Sequence, residues 1–180
     1  MTARIAAHTL DCMSRILSTL ILLLWGLWFG GTIALFIFVV SLFRHDRPLA
    51  IQGAPILFIT FERYQLILGA TLLALSGAWI IAEKSRPKML FLVALMAAST
   101  AAVVSSTVIT PKIMELRRTN RVETQEFKTA HGRSMMVYSS EEVMLLIAGI
   151  VLAAEIGRGA SGNRKLEGAE TQPLQTQRAQ

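Results

Sequence analysis

The chain has 180 residues, 53% of them hydrophobic and 17% charged, with a formal charge of +6 and a single cysteine. So small a polar fraction excludes an ordinary soluble domain, and the lone Cys12 excludes an internal disulfide and any CxxC redox or zinc motif. The basic residues flank apolar segments instead of forming one stripe, which is the pattern of membrane retention and excludes nucleic acid as a partner.

The first apolar segment, 16–43, carries no charge between Arg15 and Arg44, where about 20 residues already cross a bilayer core. It is longer than the roughly 7–15 apolar residues of a secretory signal and no small-residue cleavage site follows it, so an uncleaved first span is expected. Gly26 and Gly30 form a GxxxG, Gly31 is adjacent, and Trp28 lies too deep for an interfacial belt. Small residues let helix backbones approach in lipid. Gly26, Trp28, Gly30 and Gly31 are therefore the expected packing seam, within the chain or in a homo- or hetero-oligomer.

The second span is expected at 56–81, after a loop in which Gly53 and Pro55 act as breakers. Ala70, Ala74 and Ala78 repeat along it at helical spacing. A basic hairpin, 83–88, leads to a third span at 89–110, which Pro111 should end by withholding a ladder donor. The following segment, 112–133, is charged and free of Gly and Pro until Gly132, and reads as a surface helix. A fourth span, 135–156, offers Gly149 and Ala153 as its small face, and the tail 158–180 has the polar composition of a disordered segment. Spans of this length must satisfy their backbone internally, and none alternates like a strand, so a β-barrel is excluded. The fold class is all-α: an integral membrane four-helix bundle over 1–157, with a charged helical segment between spans three and four. Basic residues divide almost evenly between the two sides. The density of the 83–88 hairpin places the amino and carboxyl ends in the cytoplasm, in a multi-pass protein of a bacterial inner membrane.

Ionisable residues stand where the second and fourth spans begin. A fourth helix starting at Val143 would have about 14 apolar residues, or roughly 21 Å, against a core of about 30 Å. Adding Met135, Met136, Val137 and Tyr138 restores the length and draws Glu141 and Glu142 inside. In the second span the apolar run 56–61 likewise precedes Glu62 and Arg63. Both helices cross in the same direction, so these pairs share a depth. Two arrangements follow, since a charge in lipid faces a partner or a wet cavity. Either Arg63 pairs with Glu141 or Glu142, with His131 above and His131, Ser134, Tyr138 and Glu142 on one helix face, or the short apolar runs lie on the membrane surface and the charges sit among headgroups. The candidate polar cluster is Glu62, Arg63, His131, Ser134, Glu141 and Glu142.

No HExxH, CxxCH, phosphate-binding loop or nucleophile elbow occurs, so no enzyme, cofactor or metal centre is expected. His131 with Met135 and Met136 could offer soft ligands to copper, although packing is the commoner role of such residues. The expected function is a non-catalytic membrane bundle or scaffold subunit, whose partner is the lipid bilayer. The alternative is transport of a small solute or a copper-like metal ion through the polar cluster.

Three stretches together resemble a family of small membrane proteins, the transmembrane protein 205-like proteins. They are LeuTrpPheGlyGlyThrIleAlaLeuPheIlePheValVal (27–40), ValIleThrProLysIleMetGluLeuArg (108–117) and PheLysThrAlaHisGlyArgSerMet (127–135). The first is similar to the family's Trp-x-Gly-Gly helix, the second to its Thr-Pro step, the third to its His-Gly-x-Ser motif before the last span. Ser41 replaces the family's usual Pro, and its Asn is missing from 138–142. The resemblance implies a four-helix membrane bundle and leaves the activity open.

Overall fold

The structure is a computed structural model that describes the backbone of residues 2–82 and 85–177 and the side chains of residues 13–81 and 85–158. Cys12 and part of the 83–88 hairpin lie outside the described side chains. Five α-helices follow one another: α1 (Thr2–His45), α2 (Arg47–Ala82), α3 (Arg86–Val104), α4 (Thr110–Arg118) and α5 (Gln125–Gln177). A single π-turn, Ser105–Ile109, joins α3 to α4 without a break. Four stretches are long and apolar enough to cross a membrane: Met13–His45, Arg47–Ile81, Arg86–Arg118 and Gln125–Arg158. The protein is an all-α, multi-pass four-helix membrane bundle. α1 packs on α2 and α5, and α3 packs on α2 and α5, closing a ring around one interior.

Every span is longer than the composition predicts, because the expected breakers are carried inside helices. Only Asp46 separates α1 from α2; its carboxylate accepts from the Leu49 amide at 3.0 Å and so caps α2. The loop expected around Gly53 and Pro55 is helix instead. Gly53 faces the Leu42 side chain on α1. Pro55 has no N–H for the Ile51 carbonyl, and Arg117 Nη1 reaches across from α4 to donate to that carbonyl at 3.1 Å. Pro111 likewise fails to end the third span. It stands in the first turn of α4, and the wide turn before it takes up the altered register, with the Thr110 amide donating to the Ser105 carbonyl five residues back.

The helix expected over 112–133 breaks at Asn120, whose φ of 55° is left-handed. Its amide donates to the Arg117 carbonyl and the Arg121 amide to the Leu116 carbonyl, a C-terminal cap of the kind Asn tolerates. The helix carrying the fourth span begins ten residues earlier than expected, at Gln125, so residues 135–138 are continuous with the rest of α5. Where a disordered tail was expected, α5 continues as far as Gln177.

The packing seam differs from the GxxxG expectation. The inner face of α1 is Ile21, Trp28, Thr32, Leu35 and Val39. Gly26 and Gly30 lie off that face, and a Cβ added to either meets nothing within 4 Å. Ala70, Ala74, Ala78 and Ala153 are exposed as well. The close approaches occur where tryptophans of α1 lie on glycines of other helices. A Cβ on Gly149 would collide with the Trp25 ring, and one on Gly69 would stand 2.9 Å from the Trp28 ring. Trp25 also donates its indole N–H to the Leu145 carbonyl at 2.8 Å. A Cβ on Gly31 would stand 3.1 Å from the Phe61 ring.

The interior has two halves. Toward the amino end of α1 it is an apolar plug that includes Leu68, Leu72, Phe91, Leu95, Leu145 and Leu152. Toward the carboxyl end of α1 the apolar contacts thin to Leu35, Val39, Ala54 and their neighbours. The polar site occupies the space between.

Candidate functional site

Glu62 is only 3% exposed. Its Oε1 accepts three hydroxyl hydrogen bonds: from Ser105 at 2.9 Å, Thr110 at 2.6 Å and Tyr138 at 2.9 Å. The donors come from the π-turn, the start of α4 and α5, so one carboxylate oxygen ties three segments to α2. The π-turn makes this arrangement feasible. Residues five apart on an α-helix, at about 100° each, end about 140° apart around the axis, whereas an i→i+5 register stacks them. Ser105 and Thr110 are five apart.

One turn along α5, Glu141 is fully buried and its Oε1 accepts from the Trp28 indole at 2.9 Å. The inner stripe of α5 therefore runs Ser134, Tyr138, Glu141, Leu145, Ala148, Leu152. Glu142, which spacing from His131 had placed on that stripe, stands at its edge, half-buried. One turn along α2 from Glu62, Gln65 is fully buried. Both its amide atoms lack a hydrogen-bond partner, as do Ser99 Oγ, Glu141 Oε2 and Glu142 Oε1. A buried polar group without a partner costs about 1–3 kcal/mol. Several in one small bundle are a departure that packing alone does not explain.

A cavity of about 250 Å³ opens beside this cluster. Phe36, Phe58 and Val39 form its apolar wall, Tyr138 and Thr110 its floor, and Ser134, His131 and Arg117 its polar rim. The rings of Phe36, Phe58 and Tyr138 meet edge-on or tilted with centroids 5.6–5.9 Å apart, which holds the Tyr138 hydroxyl toward Glu62. Arg117 lies over the Phe127 ring at 5.7 Å, and the His131 ring stacks on Phe127.

Of the six residues in the expected cluster, Glu62, Ser134 and Glu141 are buried in the interior and His131 stands at the cavity rim. Glu142 lies beside them. Arg63 does not belong. It is exposed on the outer face of α2, about 100° round the helix from Glu62, and makes no ion pair with Glu141 or Glu142. Sequence reasoning missed Ser105, Thr110, Gln65 and Ser99. Gln65 had a signal, a lone amide three residues from Glu62 in an apolar run; Ser105 and Thr110 had none, because only the π-turn aligns them. Among the described residues no group of three His, Cys, Asp or Glu side chains is placed to hold a metal ion.

No curated protein and no solved structure matches the chain. A family model described as a domain of unknown function, DUF4149, matches residues 23–122. That match spans more than half of the chain and takes in Trp28, Glu62, Gln65, Ser99, Ser105 and Thr110. The chain belongs to the DUF4149 family of proteins.

Proposed function

We propose that this protein is a non-catalytic carrier of a small amphipathic solute, which it accepts from one side of the membrane into the cavity above Glu62. The observation that carries the proposal is the floor of that cavity. Tyr138 and Thr110 line it and both donate to a carboxylate that is almost completely buried. Apolar walls with a few convergent polar groups are the usual composition of a small-molecule site, and an ionisable group inside a bundle is a functional candidate by default. The polar half of the interior ends on the apolar plug, so passage requires the helices to rearrange, as carriers do.

A scaffold is the second reading, favoured by one observation: Glu62 holds α2, α4 and α5 in register through three hydroxyls. It leaves Gln65, and the solute-sized space, without a role. We also propose that the protein resides in a bacterial inner membrane, with lipid and homo- or hetero-oligomeric partners as its neighbours and no nucleic-acid partner, and that it is related to the transmembrane protein 205-like proteins.

The test is efflux from proteoliposomes of a cationic probe, ethidium, and an anionic one, anilinonaphthalene sulfonate. Tyr138→Phe keeps the ring and removes the floor hydroxyl; Val40→Trp fills the cavity mouth, which Val40 lines. At least a tenfold loss of flux for one probe in both variants, at unchanged protein abundance, is the expected result. Equal flux in wild type, variants and empty vesicles for both probes would leave the scaffold.

A further inference from the structure

Building on the reading of the cavity as a solute site, on which this inference rests, we propose that it takes a single-chain anionic amphipath. The molecule is a long-chain carboxylate or alkyl phosphate that enters sideways from the adjoining leaflet and sets its headgroup on Arg117.

Charge gives the sign of the headgroup. Arg117 and His131 line the cavity, and no Asp or Glu does. Among the described residues no carboxylate pairs with Arg117, since Glu115 and Glu126 are engaged with Lys112 and Arg121. Its Nη1 serves the Ile51 carbonyl, its guanidinium lies over the Phe127 ring, and its Nε is buried without a partner. A buried carboxylate can shed its charge by taking a proton, but a guanidinium keeps its charge throughout the physiological range. A half-buried cation on an apolar cavity therefore calls for an anion. Its planar fork suits the oxygens of a carboxylate or a phosphate. Ser134 places a hydroxyl on the same rim. The surroundings agree in sign. Segments 44–47 and 112–133, joined at this end of the bundle by the Arg117 bond to Ile51, hold eight Lys or Arg against four Asp or Glu. Such a field draws anions to the mouth.

The floor gives the direction in which the molecule lies. The Tyr138 and Thr110 hydroxyls donate their hydrogens to Glu62, so they turn only oxygen lone pairs to the cavity. An anion gains nothing there. The headgroup stays at the rim, and the chain lies along Phe36, Phe58 and Val39.

Size and position give the rest. The space is about 250 Å³, below the roughly 300 Å³ at which pockets for whole drug-sized ligands begin. Part of one alkyl chain fits, and the glycerol and second chain of a phospholipid find no room. Val40, Phe43 and Met135 line the same cavity while exposed on membrane-spanning stretches. The mouth therefore faces lipid, and the remainder of the chain stays in the bilayer.

The test measures binding and needs no flux. The full chain in neutral maltoside detergent is titrated with dansylaminoundecanoate, a fluorescent single-chain carboxylate, against protein-free micelles. Saturable emission is expected, displaced by laurate and dodecyl phosphate and not by dodecyltrimethylammonium or dioleoylphosphatidylglycerol. Arg117→Gln should weaken binding by about tenfold or more. Arg118→Gln removes the same charge from an exposed neighbour outside the cavity, and should leave affinity within about twofold. If Arg117→Gln does not fold, the competition series and Val40→Trp, which blocks the mouth and should abolish the signal, decide. No saturable emission, equal displacement by the cation or by the phospholipid, or unchanged affinity in Arg117→Gln would overturn the proposal. Laurate binding without flux of any probe would overturn the carrier reading and keep this site; ethidium flux without laurate binding would do the reverse.

Discussion

At the residue scale, Glu62 and the two glycines under tryptophans bear the largest local consequences. Glu62→Leu leaves the hydroxyls of Ser105, Thr110 and Tyr138 facing an alkyl chain. Hydrogen bonds between helices in membranes are worth about 0.6–1.7 kcal/mol each, so the loss should total about 2–5 kcal/mol of stability. Glu62→Gln keeps an accepting oxygen and should cost clearly less. Unfolding in mixed micelles ranks the two variants, and equal costs would mean that the three bonds do not stabilise the bundle. Gly149→Ala drives a methyl group into the Trp25 ring and strains the bond from its indole to Leu145. It should cost about 1–3 kcal/mol, as overpacking does. Gly26→Ala and Gly30→Ala have open space before them. They should change thermal stability by about 0.5 kcal/mol or less. A large loss at Gly26 would mean that a second copy of the chain packs there.

At the element scale, the irregularities of two helices are coupled to residues elsewhere. α2 crosses Pro55 because Arg117 supplies the donor that proline lacks. The coupling can be measured with a double-mutant cycle. Arg117→Ala alone should destabilise the bundle, and it should do so by about 1 kcal/mol less when Pro55→Ala has restored the Ile51 acceptor's own N–H partner. Additive losses would show that the guanidinium contributes through its packing on Phe127 alone. The π-turn is the second irregularity. The turn amounts to one extra residue in an α-helix, so deleting one of residues 106–109 would leave Ser105 and Thr110 four apart, about 40° round the axis, and both hydroxyls should still face Glu62.

At the scale of the whole molecule, the bundle is asymmetric along its length. One end is closed by leucines, tryptophans and Phe91, and the other holds a cavity lined by Thr110 and Tyr138, whose hydroxyls donate to the buried Glu62 carboxylate. The hydrophobic end gives the bundle its stability and the polar end lowers it, since each unpaired atom there costs free energy. Natural sequences retain such a cost at functional sites. The exposed cluster of Lys112, Glu126 and Arg121, with N–O distances of 2.6–2.8 Å, joins α4 to the start of α5 outside this interior. Solvent-exposed pairs of that kind contribute little stability.

Much of this architecture is legible in the amino-acid order. Four apolar runs longer than a bilayer core demand helices, because lipid offers no other partner to the backbone. The short apolar reach before Glu62 and Glu141 also places both carboxylates at one level, where the Tyr138 bond to Glu62 now joins their helices. Arg63 was misplaced because adjacent residues on a helix face different ways, and charge sign alone does not choose between them. Within the chain nothing packs on the GxxxG glycines, because small residues permit close approach without requiring it. Composition thus determined the number of spans and their helical character, and left open whether the acids are inside the bundle or at its surface. Which face of each helix points inward, the turn that aligns Ser105 with Thr110, the proline mended by Arg117 and the burial of Gln65 were decided only by the tertiary structure. Each depends on contacts between residues tens of positions apart, and a local pattern carries no record of those.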